Sequence, residues 1–358
     1  MSYGPQHVTS QIISDLAEIT LIAEEDLREI VERPIIVTGA SGFIGTWLVL
    51  SWVAARKKFN GNGRLLITSR NPDSLLPLIH EIDEDCPVVT ISSEIDEFTI
   101  PVEFENGVLI HAATPASAAF NSSNPAGMLD VIISGQRQIL NEAVRMNCQV
   151  LFLSSGAVYG RQPLDQTHVS ESWEGAPNIG VVSSAYHEGK RVAELMGNIA
   201  AESQGLHFTS ARLFAFVAPF LPLGTHFAAG NFIRDAVTTG RIEILSGGGS
   251  QRSYLYATDM CAQLWGLAQR GKLAQAYNLG SDVEITIRDL AEHVVSTVNP
   301  DASIVIRGTD SKDNVSRYVP SVERMRSEIG ARQTVSLSEA LTRTNNWLKE
   351  TGQEFNER

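Results

Sequence analysis

A chain of 358 residues, 43% hydrophobic and 19% charged, is long enough for one large or two intimately joined domains around a substantial core. Its formal charge of −13 argues against a nucleic-acid or anionic-membrane surface, since both need clustered Lys and Arg. No apolar run approaches the roughly 18 residues of a membrane span, and residues 1–10 lack the basic-then-apolar order of a secretory leader.

Cys86, Cys148 and Cys261 lie far apart with no C-x-x-C spacing, and the eight histidines form no H-E-x-x-H pattern. Neither a disulfide framework nor a metal site is indicated, and a reducing, cytoplasmic setting fits. Residues 10–32 read SQIISDLAEITLIAEEDLREIVE, with apolar side chains at Ile12, Leu16, Ile19, Ile22, Leu27 and Ile30. That spacing predicts an amphipathic helix, and residues 1–33 read as a helical extension for packing or dimerisation.

From residue 34 the rhythm changes. Strands are predicted at PIIVTG (34–39), RLLITS (64–69), VVTIS (88–92), GVLIHAA (107–113) and QVLFLSS (149–155), with helices at 46–57, 74–82 and 125–147. Continuously apolar strands separated by amphipathic helices predict an α/β fold, a Rossmann-type doubly wound parallel sheet covered on both faces. After Arg212 the pattern loosens, which predicts a smaller C-terminal substrate-binding lobe. The dinucleotide-binding domain is placed at 34–212, with 255–280 returning to it, and the lobe at 213–254 and 281–350.

The first strand runs into TGASGFIG (38–45). Behind a strand and opening a helix, this spacing assigns Gly39 to the tight turn and Gly42 to backbone approach on a pyrophosphate. Gly45 permits close helix–strand packing, and the helix N-terminus faces the phosphate charge. Ser41, Phe43 and Ile44 belong to the same cradle. A tight turn without a ligand is the bland alternative. The second strand ends Thr68-Ser69-Arg70, with no acid for the ribose hydroxyls. A hydroxyl and a guanidinium suit a 2′-phosphate, favouring NADP over NAD, unless Arg70 stacks on adenine or faces solvent.

The fifth strand brings Ser154 and Ser155 to the carboxyl edge of the sheet, where open α/β sheets bind ligands. Downstream, SSAYHEGKRVAE (183–194) puts Tyr186 and Lys190 on one helical face. Alone, that pair is explained as well by surface decoration. TGASGFIG, the HAA of 111–113, SSGAVYG and YHEGK, in that order, resemble the extended short-chain dehydrogenases/reductases, and more narrowly the nucleotide-sugar epimerase/dehydratase family. The resemblance covers about residues 34–350 and includes RLFAFVAP (212–219) and QRSYLYATDM (251–260).

The resemblance implies Tyr186 as the acid/base and Lys190 as its activator and ribose partner. It implies Ser155 as the hydrogen-bonding partner of the reacting oxygen, with His111, Ala112 and Ala113 lining the cofactor. A free tyrosine titrates near 10, so work at neutrality needs a shift of about 3 units, roughly 4 kcal/mol. A lysine charge about 4 Å away supplies that at an effective dielectric near 20 but not in bulk water. The pair is therefore competent only in a partly dry cleft.

Members of this family oxidise a sugar hydroxyl to a ketone. Gly156 and Ala157 stand where its dehydratases and decarboxylases carry an acid, which leaves 4-epimerisation or 4-keto reduction of a nucleoside-diphosphate sugar. Dehydration, decarboxylation and a non-catalytic dinucleotide sensor are the alternatives. Arg252 is the candidate for the diphosphate, against a structural ion pair with an acid such as Asp259. Asn231 is a second substrate candidate, against a helix-start cap. Ile132 and Ala215 replace residues the family uses in this region, and His187 is expected to be exposed and without a role. A homodimer through the helices 125–147 and 183–203 is implied.

Overall fold

In the computed structural model the described residues are 7–114, 117–223, 227–311 and 315–352; residues 1–6, part of the leader reading, lie outside them. The apolar runs form β1 (Ile35–Thr38), β2 (Leu65–Ser69), β3 (Val88–Ser92), β4 (Val108–His111), β5 (Gln149–Ser155) and β6 (Phe208–Leu213). Around them lie α1 (Ser10–Ile22), α2 (Glu24–Ile30), α3 (Phe43–Phe59), α4 (Leu76–Ile82), α5 (Ala118–Ser123), α6 (Pro125–Arg145) and α7 (Ala185–Gln204). The C-terminal half adds β7 (Phe216–Val217), α8 (Ala228–Thr238), β8 (Arg241–Ile244), β9 (Gln251–Arg252), β10 (Leu255–Tyr256) and α9 (Ala257–Arg270). β11 (Gln275–Leu279), β12 (Ile285–Thr286), α10 (Ile287–Thr297), β13 (Ser303–Ile306), β14 (Arg317–Tyr318) and α11 (Leu337–Thr351) complete it.

Seven strands form one sheet in the order β11-β6-β5-β4-β1-β2-β3, and every pairing is parallel. The chain winds outward in one direction from β1 through β3 and in the other from β4. Strand order thus reverses between β1 and β4, where Thr38 pairs with His111. Such a switch point leaves a crevice at the carboxyl ends of the strands. Gly39, Ala112 and, one strand further, Ser155 all open onto that edge.

The sheet is buried from both sides, which explains its unbroken apolar strands. One core joins α3, α9 and the C-terminal elements to the sheet; the other joins α6 and α7 to the opposite face. The N-terminal extension is two helices rather than one, because Ala23 breaks the ladder at φ −103°, ψ 26°. Its apolar stripe packs on this chain's own α3, α9 and α11. Polar ties fix it there: the Tyr256 hydroxyl donates to Asp15 Oδ2 (2.6 Å), Arg343 bridges Asp15 and Glu18, and Arg270 clamps Asp26. Asp15 is fully buried, and that burial pushes its carboxyl up to about 6 against the pull of Tyr256 and Arg343.

Candidate active site

The loop after β1 can exist only with its glycines in place. Gly39 sits at φ +67°, a left-handed conformation, and a Cβ there would lie 2.7 Å from the Ala112 carbonyl. At Gly45 a Cβ would lie 2.7 Å from Ala40 Cα, so helix and loop could not close. α3 starts at Gly42 with no side-chain cap, leaving the first-turn N–H groups around Phe43, Ile44 and Gly45 for a ligand. This cradle fits a pyrophosphate. The Ser41 hydroxyl donates to Ser69 (2.9 Å), whose oxygen also accepts the Asn71 N–H (3.2 Å), while Arg70 is exposed at the end of β2.

His111 ends β4 in full burial, its Nδ1 2.8 Å from the Thr38 hydroxyl. Thr38 also accepts the Ala113 N–H (3.3 Å), tying the two strand ends together. Burial, with the nearby Lys190 charge, pulls His111 down to about 3. The imidazole is therefore neutral at physiological pH.

The start of α7 is pinned from α5: Asn121 accepts the Tyr186 N–H (3.2 Å) and donates to the Ser183 carbonyl (2.8 Å). This brings the half-buried Tyr186 phenol to the Ser155 hydroxyl, which also accepts the Ala157 N–H (3.1 Å) at the end of β5. Burial raises the Tyr186 pKa, and the Ser155 hydrogen bond draws it partly back. Lys190 is buried one turn on, donating to the Leu153 carbonyl (2.6 Å) and Thr114 Oγ1 (3.0 Å), 4.6 Å from the centre of the Phe152 ring. Burial lowers it to about 7, opposed by Glu194. Two of the three ammonium protons of Lys190 are thus spent on Leu153 and Thr114.

One further turn along α7, Glu194 takes the Ser154 hydroxyl (2.5 Å) and the Arg212 guanidinium (2.7 Å). Arg212 in turn reaches the Tyr159 hydroxyl at 2.8 Å. A buried charge pair thus braces the strand end that presents Ser155.

The structure separates the remaining candidates. Arg252 has no pairing with Asp259, whose carboxylate instead accepts the N–H groups of Thr334 and Val335 and the Thr334 hydroxyl. The guanidinium is held by the Gln251 and Ser316 carbonyls and the Ser316 hydroxyl, and burial lowers its pKa. Asn231 is not a helix cap: α8 is capped at Phe227, and the Asn231 N–H bonds the Phe227 carbonyl within the first turn. His187 is half-buried rather than exposed, its ring edge-on to Tyr186 at 5.8 Å.

Two residues escaped the sequence reading. β14 pairs in parallel with β9, setting Tyr318 against Arg252 and, on the opposite face, Arg317 against Gln251. Arg317 meets Glu284 at 3.2 Å, but its buried Nε has no hydrogen-bond partner among the described residues. Tyr318 packs against Phe214 with its ring tilted by 35° (4.5 Å between centroids) and donates to the Leu213 carbonyl (3.2 Å). Arg252, beside Tyr318 and without a carboxylate partner among the described residues, suits a diphosphate, whereas Arg317 shares the other face with Gln251 and Glu284. A two-residue strand of polar character gives no periodic signal that would have located them.

Among the described residues no group of three or more His, Cys, Asp or Glu could hold a metal ion, the three cysteines are free and buried, and no helix is long and apolar enough to cross a membrane. A family model described as the NAD dependent epimerase/dehydratase family matches residues 35–280. UDP-glucuronic acid decarboxylase 1 of Arabidopsis thaliana is 27% identical over 311 residues, covering 86% of this chain and 68% of that protein. An epimerase from Methanothermobacter thermautotrophicus has a TM-score of 0.78 at 20% identity, covering 93% of this chain and 97% of its own. A double mutant of a dTDP-glucose 4,6-dehydratase from Streptomyces venezuelae, solved with NAD and DAU bound, gives 0.74 at 20% identity over 88% and 97%.

Proposed function

We propose, from the premise that this chain belongs to the NAD dependent epimerase/dehydratase family, that it is an enzyme acting at C4 of a nucleoside-diphosphate sugar, by 4-epimerisation or 4-keto reduction. The observation that carries this reading is Ser155, fixed at the end of β5, with Tyr186 at the start of α7 and Lys190 buried a turn on against the Leu153 carbonyl and Thr114. Nicotinamide, when bound, supplies the acceptor and donor of hydride. The loop 39–45, Ser69 and Arg70 after β2, and His111, Ala112 and Ala113 after β4 would hold the dinucleotide.

Within this set Ser155 orients the sugar oxygen and Tyr186 takes or returns its proton. Burial keeps the resting phenol protonated, so its ready step is donation to an oxygen gaining negative charge. Lys190 holds the Leu153 carbonyl and keeps the base of the site dry. Arg252 takes the diphosphate, and Asn231 belongs to the sugar-reading lobe at 213–254 and 281–350. The β2 end bears hydroxyls and a guanidinium and no carboxylate, which supports NADP, whereas the family's description and the NAD in the dehydratase relative support NAD.

The decarboxylase relatives favour a second reading, loss of carbon dioxide from a nucleoside-diphosphate glucuronate. Against it stands the lack of any carboxylate at Gly156 or Ala157. A Cβ at Gly156 would lie 2.7 Å from the Tyr318 hydroxyl and 2.6 Å from Phe214, so the place of an acid is already filled. We also infer a homodimer through α6 and α7, because Val192, Leu195 and Ile199 present an exposed apolar stripe on α7.

The test is incubation of purified protein with UDP- and dTDP-hexoses, their 4-keto forms and UDP-glucuronate, with mass spectrometry and NMR on the products and on the retained dinucleotide. A sugar altered only at C4 supports the reading. A pentose product favours decarboxylation, and a retained dinucleotide with every sugar unchanged favours the sensor.

A further inference from the structure

We propose that the cavity beside the edge strand β11 is a second binding site of this chain, fitted to a small organic anion that carries hydroxyl groups. It encloses about 450 Å³ between Gln263 of α9, Gly280 and Val283 after β11, Met325, and the loop 331–336 that leads into α11. β11 is three strands from β4 in the sheet, about 14 Å at 4.8 Å per strand, so this cavity is distinct from the crevice over the glycine loop. None of the residues assigned above to dinucleotide or sugar lines it.

Its walls are fixed before any ligand arrives. The fully buried Asp259 carboxylate accepts the Thr334 N–H (3.0 Å), the Val335 N–H (3.1 Å) and the Thr334 hydroxyl (2.7 Å), which pins a loop with no secondary structure of its own. Gln333 ties the same loop to the strand end, accepting the Ser281 hydroxyl (2.6 Å) and donating to the Val335 carbonyl (3.1 Å). The segment Met325–Ile329 is a π-turn, a geometry frequent at functional sites, and Gly330 ends it at φ +73°.

Within this frame two polar groups are left unused. Gln263 is only 6% exposed, yet its buried Oε1 has no hydrogen-bond partner among the described residues. A buried acceptor is costly to leave unpaired, so the position calls for a ligand hydroxyl or N–H. The exposed Arg332 makes no ion pair among the described residues, whereas Arg326 is already taken by Asp282 (2.8 Å) and Glu323 (3.2 Å). Asp282 is thereby neutralised, and the charge the cavity offers is the Arg332 guanidinium, which suits a carboxylate or a phosphate. Val322, Met325 and Val335 give the carbon skeleton an apolar wall, and the volume lies in the range of small-molecule sites.

The full chain is titrated with glucose 1-phosphate, gluconate, glucose and inorganic phosphate. Isothermal titration gives the affinities, and NMR follows the Gln263 side-chain amide, assigned by its loss in Gln263→Met. Glucose 1-phosphate or gluconate should saturate the protein and move that amide, at least about tenfold more tightly than glucose or inorganic phosphate; the tighter of the two identifies the anion. Arg332→Ala should weaken this binding about tenfold and Gln263→Met at least about threefold, both melting as wild type does. Arg252→Ala should leave it unchanged. Binding lost in Arg252→Ala but kept in Arg332→Ala would belong to the crevice and overturn the proposal. Failure of both anions to saturate would mean that water alone serves Gln263, and would overturn it equally. No step reads turnover, so the C4 reading can fail without touching this result.

Discussion

Glu194→Gln is the most informative perturbation of the scaffold beneath the site. The carboxylate is nearly buried, with its side chain 8% exposed against 16% for Arg212, and it receives Arg212 through Nε and Nη2 at 3.0 and 2.7 Å and Ser154 at 2.5 Å. The amide keeps the shape and part of the hydrogen bonding but leaves the guanidinium buried without its counter-charge. Breaking one side of a buried pair costs about 3–5 kcal/mol, and retention of the amide oxygen puts the expected loss near about 3 kcal/mol. At about 2.1 cal/mol/K per residue, 358 residues give an unfolding entropy of about 0.75 kcal/mol/K, so the melting temperature should fall by about 4 °C. The assay is thermal melting by circular dichroism of wild type, Glu194→Gln, Arg212→Met and the double variant. The double variant should lose less than the sum of the singles, because removing both charges leaves neither stranded. Strict additivity, or a Glu194→Gln melt within 1 °C of wild type, would show that the pair does not brace the end of β5. Losing the carboxylate that raises Lys190 should also lower that lysine's pKa further, measurable by NMR.

Gly39→Ala places a methyl group against the Ala112 carbonyl in a left-handed turn, and isothermal titration should show dinucleotide affinity falling at least about tenfold with the fold retained. Asp15 has a raised pKa, so its contribution is greatest below pH 3.8 and is lost as pH rises through about 6. Relative to Asp15→Asn, wild type should therefore lose about 3 kcal/mol in denaturant unfolding between pH 3.8 and 8. Leu195→Glu puts a charge in the exposed α7 stripe and should convert a dimer to a monomer in light scattering without lowering the melting temperature by more than about 1 °C.

Local signals carried most of the sheet. Strands 88–92 and 149–155 were legible to the residue, because continuous apolar runs bounded by turns admit few other readings. The glycine loop was legible because three glycines between a strand and a helix have a steric purpose that can be named. Tyr186, Lys190 and Ser155 meet because helix α7 and strand β5 are each regular, and only their order along the chain needed recognising. The break at Ala23 escaped because periodicity runs through both helices. Tyr318 escaped for another reason: it reaches Arg252 through a two-residue parallel pairing, a contact between distant segments that no local pattern encodes. The partners of Lys190, the Leu153 carbonyl and Thr114 Oγ1, were also not legible, because they come from a strand and a loop distant in the chain. The Asp15–Tyr256–Arg343 cluster joins three distant segments and was equally invisible.

A proton carried by one phenol is the step on which the functional proposal depends. The direct measurement is turnover of the nucleotide sugar that the wild-type protein converts, repeated with Tyr186→Phe protein loaded with the same dinucleotide. Loss of at least about a hundredfold in kcat with dinucleotide affinity unchanged is the expected result. Turnover at the wild-type rate by the phenylalanine variant would contradict it.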